Sequence, residues 1–206
     1  MRRLSTIVRN GQKALQDLNL LKVLQSEISY ELSAKPFQDV GGGSLGDFTV
    51  DWDSLQSQDV VLRRKCETGE VVVVSALLGP LVFEKEAEES LFPRNVLMKV
   101  CVKKPGLRSL MQFDCQVSEK GTGGSEFDIH NAYFLQSSAV PSRSAYTGSI
   151  FRYLDSQLQD AFKDYLVAKG IGENLTNFLL LHLHKKEHGQ YVNWLRKLES
   201  SVAKSE

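Results

Sequence analysis

Apolar residues recur with two different periods over three stretches of this chain. In the first stretch Leu15, Leu18, Leu21, Ile28 and Leu32 return at near-helical spacing, with Leu24 beside them. That pattern predicts one long helix. Pro36 stops it near Ala34, because the residue before a proline avoids helical backbone. Gly41, Gly42, Gly43 and Gly46 then predict a flexible linker.

The middle stretch changes to period two. Val60 to Cys66 and Glu70 to Leu78 read as strands joined by a Glu67-Thr68-Gly69 turn, with Gly79-Pro80 ending the second. Residues 84–90 form an acidic loop. Asn95 to Val117 predicts a hairpin turning at Lys104-Pro105-Gly106-Leu107, where proline sets one corner and glycine accepts positive φ. With Pro105 and Gly106 as the central pair, Val100 faces Met111, Met98 faces Phe113 and Val96 faces Cys115. In that register Cys101 lies on the opposite face from Cys115, so no disulfide is expected between them. Residues 121–125 suggest a further turn, and Phe127, Ile129 and 132–135 a further strand. A polar linker over 141–148 leads into the last third.

That last third returns to helical period. Phe151, Leu154, Leu158, Phe162 and Leu166, with Ala161 and Tyr165, form a wide stripe closed by Gly170 and Gly172. A second helix starts near Asn174 as a capping residue. Its segment Leu175, Phe178, Leu179, Leu180, Leu181 and Leu183 is apolar almost all round, which demands burial on several sides. Tyr191, Trp194, Leu195, Leu198 and Val202 continue the period past Gly189.

Charge is uneven although it balances overall at 25 bases and 25 acids. Residues 1–24 hold five bases and one acid, a net +4, and the stretch through Gln16 has no acid. With Ser5 and Thr6, this has the composition of a mitochondrial presequence, which sets residues 1–14 apart from a single domain over 15–206. Three cysteines, none in a C-x-x-C pair, argue for free thiols and against a zinc or redox motif. No apolar run reaches the roughly 18 residues of a membrane span.

Candidate chemistry is thin. The glycine stretch lacks the Gly-Lys-Ser/Thr of a phosphate loop. His184 and His188 lie one helical turn apart, but His182 points elsewhere and no third ligand is evident. Asp155, Asp160 and Asp164 have no acid–base pairing. Arg63, Arg64, Lys65, Lys103 and Lys104 are candidate RNA contacts; without interleaved aromatics they read better as solvated edge charges. No catalytic residue, cofactor or metal is expected.

The order Tyr146-x-Gly148-x-x-Phe151-x-x-Leu154-Asp155-x-x-Leu158-Gln159-x-Ala161-Phe162-x-x-Tyr165-Leu166, then Gly170-Ile171, then Lys186-Glu187-x-x-x-Tyr191-x-x-Trp194-Leu195, resembles the mitochondrial acidic matrix protein family, also called the mitochondrial glycoprotein family. The leading helix, Val61-Leu62-Arg63-Arg64, the 95–115 hairpin and Phe127-x-Ile129 follow the same order. The resemblance implies an α+β fold with one N-terminal helix, a twisted seven-stranded antiparallel sheet, two C-terminal helices and assembly into a ring-shaped homotrimer. It also implies a non-enzymatic, multi-partner binding or chaperone-like protein of the mitochondrial matrix. Its partners would be itself and proteins of respiratory or ribosomal assemblies, in support of oxidative phosphorylation or mitochondrial translation; an RNA-associated module is the alternative. On this reading the oligomer contacts are Leu175, Phe178, Leu179, Leu183, Tyr191, Trp194 and Leu195. The net charge of zero departs from the strongly acidic ring face of that family.

Overall fold

Alternation of β-branched and polar residues through the middle of the chain produces one antiparallel sheet. Its strands are β1 (Thr49–Asp53), β2 (Val60–Lys65), β3 (Val71–Leu81), β4 (Arg94–Lys103), β5 (Leu110–Glu119) and β6 (Ser125–Leu135). They pair in chain order, each with the next. The computed structural model describes residues 2–34, 36–37, 41–81, 91–120, 124–137, 146 and 148–203, with side chains from Leu15 onward. The acidic stretch 84–90, residues 121–123, and 141–145 and 147 of the polar linker lie outside the described residues, as do the side chains of the opening basic segment.

The α-helices among the described residues are α1 (Arg2–Ala34), α2 (Ser156–Ala168) and α3 (Glu173–Ala203). The described sheet has six strands where the family resemblance implies seven. Among the described residues beyond β6, a single bridge, Asn131 to Ile150, adds to it. β1 was not expected, although Val50 and Trp52 alternate with Asp51 and Asp53. β3 also runs past Gly79-Pro80 to Leu81, accommodating the pair through a register shift after Leu78.

The predicted turn at Lys104–Leu107 exists. Leu107 N–H donates to the Lys104 carbonyl, and Gly106 has φ 74°, a conformation costly for any residue with a Cβ. The register is nevertheless displaced by two. Val102 faces Met111, Val100 faces Phe113, Met98 faces Cys115 and Val96 faces Val117. Arg108 and Ser109 lengthen the loop, so pairing starts at Lys103–Leu110. A shift of two preserves the side-chain period, so every residue keeps its face. The cysteines are free, with Cys115 in the core and Cys101 on the other face.

Two units divide the chain. One comprises Val40–Lys186, the other Met1–Asp39 with Glu187–Glu206. In the first, the inner sheet face contributes Val60, Leu62, Val72, Val74, Val100 and Phe113 to the core. α2 and the opening of α3 cover it with Leu166, Leu175, Leu179, Leu180 and Leu183. Phe113 meets Phe162 edge to face at 5.4 Å between centroids. Each such leucine contributes roughly 1.5–3 kcal/mol relative to exposure. Asp155 caps α2, its carboxylate accepting from Gln157 N–H at 2.9 Å. α3 begins at Glu173, one residue before the expected cap Asn174. The Gly172 carbonyl accepts from Leu175 and Thr176 N–H.

The glycine stretch is not a free linker. Ser44 N–H donates to the Asn174 carbonyl at 3.1 Å. A Cβ on Gly43 would collide with that carbonyl and with the Phe178 nitrogen. Glycine is required there so that backbone can touch backbone.

Candidate interaction surfaces

Helix α2 and the opening of α3 pack the inner face of the sheet, and the described residues of its other face are half-buried to exposed. Cross-strand pairing arranges that outer face in rows. One row runs Lys65–Val71–Lys103–Leu110–Leu135 from β2 to β6. The next carries Arg63, Val73, Cys101, Gln112 and Tyr133. A third carries Val61, Ser75, Lys99, Asp114 and Asn131. Burial pushes the Cys101 thiol upward in pKa, and pushes Cys115 up to about 12. Neither is a poised nucleophile.

The structure sorts the five basic residues proposed to touch RNA. β1 covers the side of β2, so Arg63 and Arg64 are not edge charges. Arg63 hydrogen-bonds Asp51 through Nε at 3.0 Å and Nη2 at 2.6 Å. That contact holds the Asp51 carboxyl below its ordinary pKa. Arg64 pairs with Asp47 at 2.8 Å. Only Lys65 and Lys103 share a row on the outer face, with Lys104 next in chain to Lys103. Lys65, Lys103 and Arg108 make no ion pair among the described residues.

Of the residues proposed to cover an oligomer contact, Leu175, Leu179 and Leu183 are buried by this chain's own sheet and helices. The near-continuous apolar segment is therefore satisfied within one subunit. Phe178 is half-buried and stacks on His182 at 5.1 Å. In the other unit Leu195 is buried, together with Leu24 and Val192. Tyr191 is half-buried, and its hydroxyl donates to Glu27 at 3.0 Å. Trp194 stays 53% exposed. Leu18, Leu20, Val23 and Leu32 of α1 are exposed as well.

The three histidines of α3 have separate partners. His182 Nε2 donates to Asp53 at 2.8 Å, His184 Nδ1 to the Leu180 carbonyl at 2.8 Å, and His188 Nε2 to Glu31 at 2.9 Å. Asp53 also receives Lys186 Nζ at 2.5 Å, and the Asp59 carbonyl receives it at 2.7 Å. Burial works to raise the Asp53 carboxyl, but the hydrogen bonds from Lys186 and His182 prevail and hold it lowered. This knot joins β1 to α3. It was invisible in the sequence because its members are far apart in the chain. A second pair, Glu70 with Lys169, closes the β2–β3 turn onto the end of α2; its hydrogen bond lowers the Glu70 carboxyl.

Cavities adjoin the core among the described residues. One of about 340 Å³ is lined by Ser44, Asp47, Arg64, Gly170, Glu173 and Asn174 among others, and within it Arg64 is already engaged by Asp47. Another, of about 230 Å³, is lined mainly by apolar side chains such as Met111, Phe113, Phe134, Leu158 and Phe162. Among the described residues no group of three His, Cys, Asp or Glu could hold a metal ion. No described helix is long and apolar enough to cross a membrane.

One leading helix, a sequentially paired sheet with its inner face packed by helices, and two closing helices define a p32-like fold. The crystal structure of the Trypanosoma brucei p22 protein is similar, with a TM-score of 0.69 and 19% identity over 91% of this chain and 99% of that one. So is a hypothetical protein of Leishmania major described as a sequence homologue of human p32, with a TM-score of 0.67 and 18% identity over 91% and 99% of the two chains. These likenesses show the fold alone. The sequence goes further: residues 24–202 match the mitochondrial glycoprotein family MAM33, and the chain belongs to that family. A relative, the mitochondrial acidic protein mam33 of Schizosaccharomyces pombe, is 28% identical over 214 residues, spanning 87% of this chain and 76% of that protein.

Proposed function

We propose that this chain is a non-enzymatic binding protein of the mitochondrial matrix. It assembles as a ring-shaped homotrimer and holds or chaperones components of the respiratory or mitochondrial translation machinery. The observation that carries this reading is the family match across residues 24–202. The name of the fission-yeast relative supports the mitochondrial location. The half-buried to exposed outer sheet face supports a docking role, since one layer of strands offers rows of side chains without enclosing a reaction chamber.

Support for self-assembly comes from the unit formed by α1 and the end of α3. Trp194, Leu18, Leu20, Val23 and Leu32 remain exposed there, more apolar surface than a solvated helix pair normally displays. A second copy would cover them, and cyclic closure would satisfy every copy equally. Light scattering on the purified protein is expected to give about three times the 23.1 kDa chain mass. Affinity capture from isolated mitochondria is expected to recover respiratory or ribosomal proteins. A 23.1 kDa species that leaves mitochondrial extract alone would sink the reading.

A further inference from the structure

From the outer face of the sheet we infer a docking row for acidic polypeptide: the row Lys65–Val71–Lys103–Leu110–Leu135 takes an extended segment in which carboxylates alternate with small apolar residues. Pairing places these five side chains side by side across β2, β3, β4, β5 and β6. Strand spacing sets Lys65 and Lys103 about 9.6 Å apart, with Val71 between them. The whole row is about 19 Å long, the reach of six or seven extended residues.

Charge complementarity identifies the occupant. Lys65, Lys103 and Arg108 are exposed and have no ion pair among the described residues. Lys104 is exposed in the adjoining turn and lies within electrostatic reach of Glu70. By contrast, the neighbouring Arg63 is held by Asp51, which leaves the next row without a free cation on β2. The half-buried Val71, Leu110 and Leu135 complete the row with apolar surface. A ligand must therefore bring negative charge to two positions and apolar contact to three.

An acidic polypeptide meets both demands, whereas RNA meets only the first. Single-stranded RNA needs aromatic platforms for its bases, and this row has none. Farther along the same face Asp114, Asp128 and Glu126 would repel a continuous phosphate backbone. They would not repel a short peptide confined to the row.

This inference refines the binding-protein reading by naming a partner chemistry, and it fails separately: it is tested with purified full chain and a synthetic ligand, so losing it leaves mitochondrial capture untouched. The probe is a fluorescein-labelled decapeptide alternating glutamate with valine and threonine, followed by fluorescence anisotropy at low salt. Binding in the micromolar range is expected. Lys65→Glu with Lys103→Glu should weaken it at least about tenfold, and Val71→Asp alone should weaken it several-fold. Arg63→Gln should leave it unchanged. A lysine-for-glutamate version of the peptide should not bind. The row is refuted if a uridine decamer binds as tightly as the acidic peptide. It is refuted equally if the lysine variants bind like the parent, or if no binding is seen at millimolar peptide. Circular dichroism of each variant keeps folding separate from docking.

Discussion

Lys186 is the residue whose placement most needs an explanation. Its side chain is only 5% exposed, and an ammonium so placed is tolerated when its hydrogen bonds are filled. Asp53 and the Asp59 carbonyl fill two of them, and His182 takes the other Asp53 oxygen. Asp53→Ala would leave the ammonium with one carbonyl and is expected to cost about 3 kcal/mol at pH 7. The pH dependence has a definite sign. The folded carboxyl lies below its ordinary value of 3.8, so its contribution is complete above about that pH and is lost as the pH falls through the lower folded value. Urea titrations should show the gap between parent and variant shrinking below pH 3.8. A gap that is constant from neutral pH to pH 2 would refute the assignment. None of this was legible in the sequence, where Lys186 stands only within the family motif and His182 only as a histidine that points away from His184 and His188. Local period shows which face a residue occupies but not which distant carboxylate arrives there.

Elements were more legible than contacts, and the failures have particular causes. The part of α1 from Leu15 to Ala34 and the β4–β5 hairpin follow from period and from one proline and one glycine, whereas the helical start at Arg2 does not. The hairpin register slipped by two because Arg108 and Ser109 carry no turn signal strong enough to reveal a longer loop. In β6, Phe127 and Ile129 fall on odd positions but Ala132 and Phe134 on even ones. The cause is a bulge: Cys115 pairs with Ile129 and Asp114 with Asn131, leaving His130 unpaired. The glycine stretch was misread for a different reason. Glycines at a close backbone approach look in sequence like glycines in a linker. The two roles separate under substitution. Gly43→Ala must displace the start of α3 and is expected to cost about 2 kcal/mol. Gly41→Ala meets nothing within 4 Å and should change stability by less than about 0.5 kcal/mol. Denaturant midpoints of the two variants measure this difference, and equal midpoints would return the segment to a linker.

At the scale of the whole molecule the two units have unequal means of standing alone. The Val40–Lys186 unit has a continuous core of strands and helices, which takes in Leu175, Leu179 and Leu183. The unit of α1 and the end of α3 buries only Leu24, Val192 and Leu195 among its described side chains. Hydrogen bonds of Tyr191 to Glu27 and Gln25 to Glu199 tie its helices together, but polar contacts at a wet surface add little. A helix pair with so small a seam is marginal in water. If other copies cover its exposed leucines and Trp194, its order depends on protein concentration by mass action. Trp194 emission, followed in a Trp52→Phe background, should then report a melting midpoint that rises by roughly 5–10 °C over a hundredfold increase in concentration. Val23→Glu on the exposed side of α1 should remove that dependence while leaving the sheet's circular dichroism intact. A midpoint independent of concentration in the parent protein would mean that the pair is stable without neighbours, and the apolar surface would have to be explained by a different partner.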